Sequence, residues 1–445
     1  MALKALDILK LLPQKRGCKE CGCPTCLAFA MKLAQKQARI DECPYVSDES
    51  KAALEGASAP PMKLVTIGAG ENKLEIGNET VMFRHEETFY HSPGIAVSVP
   101  DDLDADALAA RVAAIGALKF VRVGMDIRAN VVAVENVSCD AGRFKAAVEA
   151  AAKLDLPMVL VAERAAHIAA ALLACAGKKP LIHAARPDNW EEFATAAKEN
   201  GCALAVKAPD LEALVELTGK IKAAGVEDMV LDLTADGLST TLQALTIARR
   251  LALKKGARDL GYPSMAFAAG RDIFEEVAQA ATYVAKYAGI VVTSLTSAEQ
   301  ILPLLTVRQN VFTDPRKPIQ VEPTVYEVGA ANPKSPVLIT TNFSLTYYTV
   351  EGEVEASRVP AYIGVIDTEG TSVLTAFASD KLTAEGVAKL LKSDALKDKV
   401  SHKKVIIPGY VAAMSGALQD ESGWEVIVGP REASGIPKFL KTMWS

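Results

Sequence analysis

The sequence predicts an α/β multidomain chain in three parts: a small helical module rich in cysteine, a central (β/α)8 TIM barrel, and a C-terminal doubly wound, Rossmann-like α/β domain. Three observations carry that reading. Five of the eight cysteines fall within the first 43 residues. Eight short apolar runs then alternate with eight helical stretches. After a break spaced by prolines, four more strand-like runs alternate with helices to the end. At 445 residues, half of them apolar, the chain is too long for one core, and strands that alternate with helices call for parallel sheets.

The first part reads Gly17-Cys18-Lys19-Glu20-Cys21-Gly22-Cys23-Pro24-Thr25-Cys26, then a helical run, then Cys43-Pro44. Three thiolates from one short loop cover a face of a cubic cluster, and a fourth returns after a helix with proline behind it. That is the ligand logic of a [4Fe–4S] cluster held by Cys18, Cys21, Cys26 and Cys43. Cys23 lies too close to Cys21 to share the cube. Disulfides suit an oxidising compartment, and the chain shows no signal peptide. Zinc takes two CxxC-like knuckles, of which the second is missing. Redox thiols need only one pair. Ala5, Ile8, Leu9 and Leu12 mark one face of a short helix ended by Pro13, and Leu27, Ala30, Met31, Ala34 and Ala38 form a stripe expected to pack over the cluster. Lys15, Arg16, Lys19, Lys32, Lys36 and Arg39 add positive charge that offsets an anionic cluster or docks an acidic partner.

Composition narrows the class further. A net charge of −5 gives no bulk attraction to nucleic acid, and no apolar run reaches the roughly 18 residues of a membrane span. The five histidines form no close ligand set. A cytoplasmic, reducing location follows.

Residues 46–62, with Gly56-Ala57-Ser58-Ala59-Pro60-Pro61, read as a linker. The predicted domains are 1–57 (cluster module and linker), 58–310 (barrel with an N-terminal hairpin) and 311–445. The hairpin is a lid with strands at 63–67, 73–76 and 80–83. Barrel strands are expected at 95–99, 131–135, 158–162, 181–184, 204–207, 229–233, 265–268 and 290–294, with helices between them and a last one at 297–305 ended near Pro303. Continuous apolar strands suit a sheet buried on both faces, and eight equal units without a glycine fingerprint favour the barrel over an open sheet. Catalysis in barrels sits at strand C-termini; here these offer Glu135, Asn136, Glu163, Arg186, Lys207, Asp232, Thr234 and Thr293, which compose no metal triad or Schiff-base signature. The barrel is expected to be mainly a scaffold for partner subunits.

Pro315, Pro318 and Pro323 space a connector over 308–330. The last domain has strands at 336–340, 362–367, 404–407 and 425–428. Ligands of such folds bind beyond the strands' carboxyl ends, and those ends are Thr340-Thr341-Asn342, Asp367-Thr368-Glu369-Gly370-Thr371-Ser372, Pro408-Gly409 and Gly429-Pro430. All are small, hydroxyl-bearing or glycine-rich, which lets backbone amides approach a large polar ligand; good turns and N-caps use the same residues.

The combination resembles the large (gamma) subunit of the corrinoid iron–sulfur protein of the acetyl-CoA (Wood–Ljungdahl) pathway. The likeness covers nearly the whole chain: the cysteine module, the barrel, and the block from Thr340 to Tyr347 with Thr368 to Leu374. It implies a [4Fe–4S] cluster on Cys18, Cys21, Cys26 and Cys43, and a cobamide (a cobalt corrinoid) lined by Thr340, Thr346, Gly370, Thr371, Ser372, Val373, Leu374 and the loop around Ala433. It implies a methyltransferase-type methyl carrier whose cobalt(I) takes methyl from methyltetrahydrofolate through a separate methyltransferase and passes it to the nickel site of acetyl-CoA synthase, while the cluster returns Co(II) to Co(I). A small corrinoid iron–sulfur subunit completes a heterodimer. Many cobalamin domains present a D-x-H-x-x-G histidine to cobalt; the C-terminal domain has only His402, between Ser401 and two lysines, so no protein nitrogen is placed as a lower ligand. Visits to a cluster, a donor and an acceptor require domain movement at 46–62 and 308–330. The alternatives are a ferredoxin-like electron-transfer subunit without corrinoid and a barrel that uses folate directly.

Overall fold

Eight of the apolar runs become parallel strands because their side chains are buried on both faces, one set toward a common axis and the other toward surrounding helices. The computed structural model describes residues 5–13, 18–34, 37–47, 50–51, 60–314 and 318–444. Its contacts divide the chain into two units, Met1–Lys119 with Arg128–Phe312, and Phe120–Ile127 with Thr313–Ser445.

In the first unit, β1 (Val65–Ile67) and β2 (Leu74–Ile76) pair antiparallel, with Val65 opposite Ile76. The barrel strands follow as β3 (Gly94–Pro100), β6 (Val131–Glu135), β7 (Met158–Val161), β8 (Leu181–Ala185), β9 (Leu204–Val206), β10 (Met229–Asp232), β11 (Ser264–Phe267) and β12 (Ala288–Thr293). They close in that order, with β12 returning beside β3 through Ile290 opposite Gly94. Alternate residues such as Ala96, Val131, Ala133, Ile290 and Val292 point inward and pack against Val65, Ile67, Leu74 and Ile76 of the hairpin.

That packing corrects the lid. Leu74 lies against Gly94 and Val131, the first residues of their strands, and the Gly68 amide donates to the Lys179 carbonyl just ahead of β8. The hairpin therefore plugs the end of the barrel opposite the strands' carboxyl rim. Residues 80–83 form no strand; Val81 instead offers its carbonyl to the buried Arg249. The last barrel helix also differs, running Ala298–Phe312 through Pro303. Pro303 lies inside it, past the first turn, so the helix runs on at the cost of the bond its missing amide would make to the Glu299 carbonyl.

In the second unit, β4 (Lys119–Arg122) and β5 (Met125–Arg128) make a small two-stranded sheet that the sequence did not announce. Most of this excursion clusters with the C-terminal residues, and Gly124, at φ +68, lies directly against Tyr348. The main sheet has the order β13 (Val325–Val328), β15 (Ala361–Ile366), β14 (Val337–Thr341), β16 (Lys404–Ile407), β17 (Glu425–Val428). Only β13 runs antiparallel. Val337 and Ile339 face one helical layer, and Leu338 faces another that carries Tyr347, Val354 and Leu440. The connector is thus shorter than 308–330: Val325–Val328 is an edge strand, and Gln320 bridges antiparallel to Phe343. Among the described residues no helix is long and apolar enough to cross a membrane.

Candidate functional site

The cysteine module is built around two helices, Ala5–Leu11 and Cys26–Ala34. Thr25 Oγ1 accepts from the Ala28 amide at 3.1 Å and caps the second helix, which puts Cys26 at its positive end, a setting that suits an anionic sulfur. Gly22, at φ +70, closes the turn on Lys19 that brings Cys18 and Cys21 round. Tyr45 donates to Glu20 at 2.6 Å and ties the Cys43 segment to that loop. Ile8, Leu12, Cys23, Phe29, Ala30, Cys43 and Val46 form the buried core. The helix therefore buries Phe29 and Ala30, whereas Leu27 and Met31 of the expected stripe are exposed. Lys15, Arg16 and Lys36, with most of the 46–62 linker, lie outside the described residues. Cys18, Cys21 and Cys26 keep partial exposure while Cys23 is in the core. Among the described residues no three His, Cys, Asp or Glu side chains converge on a single metal ion; the corners of a cube hold their sulfurs farther apart than one ion does.

At the barrel's carboxyl rim the structure gathers several of the candidate side chains into closed networks. Asp232 Oδ2 lies 2.9 Å from His183 Nε2 and accepts from Lys207 Nζ at 3.0 Å, while Oδ1 accepts from the Thr234 amide. Burial alone would push the Asp232 carboxyl up, but the His183 hydrogen bond and charge, with Lys207 and Thr234, hold it well below the usual carboxylate range. Asp101 accepts from Asn136 and Ser138, and Glu276 from Thr293 and Ser294. Burial pushes Glu135 up against the opposing charge of Arg111. Glu163 and Arg186 stand 3.8 Å apart at the exposed edge. Away from the rim, burial pushes the Cys175 and Cys202 thiols up to about 11, which marks them as packing groups.

The C-terminal sheet is different. Its parallel strands diverge between β14 and β16, and connections leave in opposite directions from that point, where open α/β sheets bind ligands. A cavity of about 110 Å³ lies there, lined by Thr340, Thr346, Val373, Tyr410, Arg431 and Ala433 among others. Thr340, Thr346, Val373 and Ala433 were expected from the sequence. Gly370, Thr371 and Ser372 lie in the loop that leads to Val373. Leu374 is half-exposed and does not line the cavity. The hydroxyls of Thr340, Thr341 and Ser344 are buried and make no hydrogen bond. Sequence reasoning did not name Tyr410, Arg431 or the apolar wall from Ile436 and Phe439; the loops Pro408-Gly409 and Gly429-Pro430 and the loop around Ala433 were its signals for them.

A family model described as CO dehydrogenase/acetyl-CoA synthase delta subunit matches residues 64–440, and one described as "Putative Fe-S cluster" matches residues 12–45. The chain is 48% identical over 442 residues to the corrinoid/iron-sulfur protein large subunit of Moorella thermoacetica, across 99% of both chains. The chain belongs to that family. It is also 39% identical to the acetyl-CoA decarbonylase/synthase complex subunit gamma of Methanothermobacter thermautotrophicus over the full length of each. The larger model carries a delta-subunit description, but the relatives that align end to end, cysteine module included, are large or gamma subunits. Among solved structures, a dihydropteroate synthase of Thermus thermophilus covers 56% of this chain and 100% of its own at 16% identity and a TM-score of 0.39, a likeness too weak to carry an argument.

Proposed function

We propose that the chain is a corrinoid methyl carrier with its own redox repair centre. Its functional parts are 1–57 for the cluster, 58–310 for the barrel scaffold and 311–445 for the cobamide, with the 120–127 excursion belonging to the last. When bound, the cobamide supplies a cobalt that takes a methyl group from one partner and yields it to another, and the [4Fe–4S] cluster supplies single electrons that restore the reduced cobalt. The partners are a small corrinoid iron–sulfur subunit, a methyltetrahydrofolate methyltransferase and acetyl-CoA synthase, and the location is the cytoplasm.

The observation that supports the reading is Thr340, which lines the sheet's cavity and buries a hydroxyl with no partner, with two more such hydroxyls following it in the chain at Thr341 and Ser344. Such groups fit a ligand that brings its own donors and acceptors, as the amides, ribose and phosphate of a cobamide do. A cavity of about 110 Å³ would take one arm of such a ligand, and the exposed Leu345, Leu374 and Tyr410 would offer apolar surface to the rest of it. Thr340, Thr346 and the backbone of Gly370 to Ser372 orient the ligand, Arg431 offers a cation to its phosphate, and Val373 and Ala433 exclude water. His402 is occupied elsewhere, with Nε2 at the Ser335 carbonyl and Nδ1 accepting from Lys404, so it is no lower ligand. Cys18, Cys21, Cys26 and Cys43 hold the cluster, and Cys23 packs. The reading also takes domain movement at 46–62 and 308–330 as part of the carrier's work, although Ile319 and Gln320 of the second stretch already pair with Ser344 and Phe343.

Metal analysis of anaerobically purified protein tests this. About one cobalt and about four irons per chain are expected. Cys43→Ser abolishes the cluster's absorbance and reactivation of oxidised cofactor, while Cys23→Ser leaves iron content intact. Protein with cluster but no tetrapyrrole would leave the ferredoxin-like reading, and methyl transfer from methyltetrahydrofolate by this chain alone would leave the folate-barrel one.

A further inference from the structure

We propose that Asn342 is a positioning residue that shapes the loop 367–374 against the cofactor cavity; the inference rests on the cobamide reading above. Asn342 follows β14, is buried, and spends every polar atom of its side chain. Its Oδ1 accepts from the backbone amides of Thr368 and Gly370 and from Thr368 Oγ1, each at 3.0 Å. Its Nδ2 donates to Asp367 Oδ1 at 2.9 Å and to Gln320 Oε1 at 3.1 Å. One side chain therefore joins three segments: the end of β14, the loop after β15, and the stretch around Gln320.

The loop needs such a hold. Glu369 and Gly370 are consecutive left-handed residues, at φ +53 and +72, and a non-glycine residue there persists only when its surroundings over-determine it. Three successive amides fix this turn. Those of Thr368 and Gly370 go to Asn342 Oδ1; that of Glu369 goes to Asp367 Oδ1, the same oxygen that Asn342 Nδ2 holds. The turn then delivers the short helix Val373–Ala378, whose first residue lines the cavity. Labour is divided along the end of β14: Asn342 holds protein, while its neighbours Thr340, Thr341 and Ser344 keep free hydroxyls. Only a primary amide of this length both accepts two amides and donates to a carboxylate.

The test uses full-length protein, purified anaerobically with its cofactors and again after they are stripped. In Asn342→Ala, amide exchange across 368–371 is expected to quicken by about tenfold, the worth of one lost hydrogen bond, while residues 404–407 of β16 stay unchanged. Cobalt per chain falls at least about twofold, and the cobalt absorption of what remains shifts. Asn342→Asp keeps size and acceptor but sets a carboxylate against Asp367, and is expected to lose cobalt as well. Pairing it with Asp367→Asn restores a donor and an acceptor and recovers the cobalt, which also covers the case in which the alanine variant unfolds. Unchanged loop exchange overturns the hold itself. A loosened loop with full cobalt and an unaltered spectrum overturns its role toward the cofactor. Wild-type protein without cobalt overturns the cobamide reading instead, and exchange on the stripped chain tells the two failures apart.

Discussion

The barrel's carboxyl rim and the C-terminal sheet's carboxyl edge are both strand ends lined with polar residues, and they differ in what is left over. At the rim the three buried carboxylates are matched: Asp101 by Asn136 and Ser138, Asp232 by His183, Lys207 and Thr234, Glu276 by Thr293 and Ser294. Among the described residues the rim buries one hydroxyl with no partner, that of Ser297, whereas the edge buries three, those of Thr340, Thr341 and Ser344. Leaving a buried polar group unmatched costs about 1–3 kcal/mol. A ligand is therefore to be sought at the edge whose groups are unmatched, although the rim carries more charge.

The largest expected effect falls at the matched site. Asp232→Ala leaves Lys207 and His183 without their shared acceptor and should destabilise the fold by about 3–5 kcal/mol, read as a lower urea midpoint with cofactor spectra unchanged. Near-normal stability with methyl transfer lost would make the rim a working site and break the contrast. Acid sharpens it. The Asp232 carboxyl is held below its usual range, since His183 and Lys207 outweigh burial. The unfolded chain then takes up the proton first on acidification, so the contribution is full above the unfolded pKa of about 3.9 and is lost as pH falls below it. Wild-type protein should lose stability more steeply below about pH 4 than Asp232→Ala does.

What the sequence made legible follows the same division. Continuous runs such as Val131–Glu135 and Lys404–Ile407 announce themselves, because burial on both faces demands uninterrupted apolar residues. Val325–Val328 buries only its two end residues, one in each helical layer, so it offers no continuous apolar run, and its place among prolines disguised it. The Lys119–Arg122 and Met125–Arg128 pair is short and mostly exposed, so no core pattern marked it. The hairpin at 65–76 was visible as strands, but which end of the barrel it closes depends on contacts with Gly94 and Val131, far away in sequence. At the site, motif residues such as Thr340 and Val373 were readable, whereas Arg431 and Phe439 reach the cavity only through the β17 connection.

A matched pair of glycines gives the intermediate test. Gly237 at the rim and Gly370 at the edge both have positive φ, +81 and +72. An added Cβ at Gly237 meets nothing within 4 Å, whereas at Gly370 it lies 2.8 Å from Gln320 Cγ and 3.1 Å from Pro318 Cβ. Each alanine carries the left-handed penalty of about 1–2 kcal/mol. Gly370→Ala also displaces Gln320, a partner of Asn342, and should cost about 1 kcal/mol more than Gly237→Ala. Equal losses would show that the edge yields where the packing says it cannot.

The smallest effect has the opposite sign, and for that reason discriminates best. Thr340→Val exchanges a hydroxyl for a methyl of nearly the same volume at a site where the hydroxyl has no partner. In cofactor-free protein the substitution removes a desolvation cost and gives back no bond, so the urea midpoint should rise by the equivalent of about 1 kcal/mol. In loaded protein the same change deletes a donor the ligand uses, and cobamide retention should fall several-fold, roughly the worth of one hydrogen bond. Stabilisation without the ligand and weakening with it cannot both come from packing, because packing is the same in the two states. If Thr340→Val instead destabilises the empty chain, the hydroxyl already has a partner within the fold, and the edge is no different from the rim.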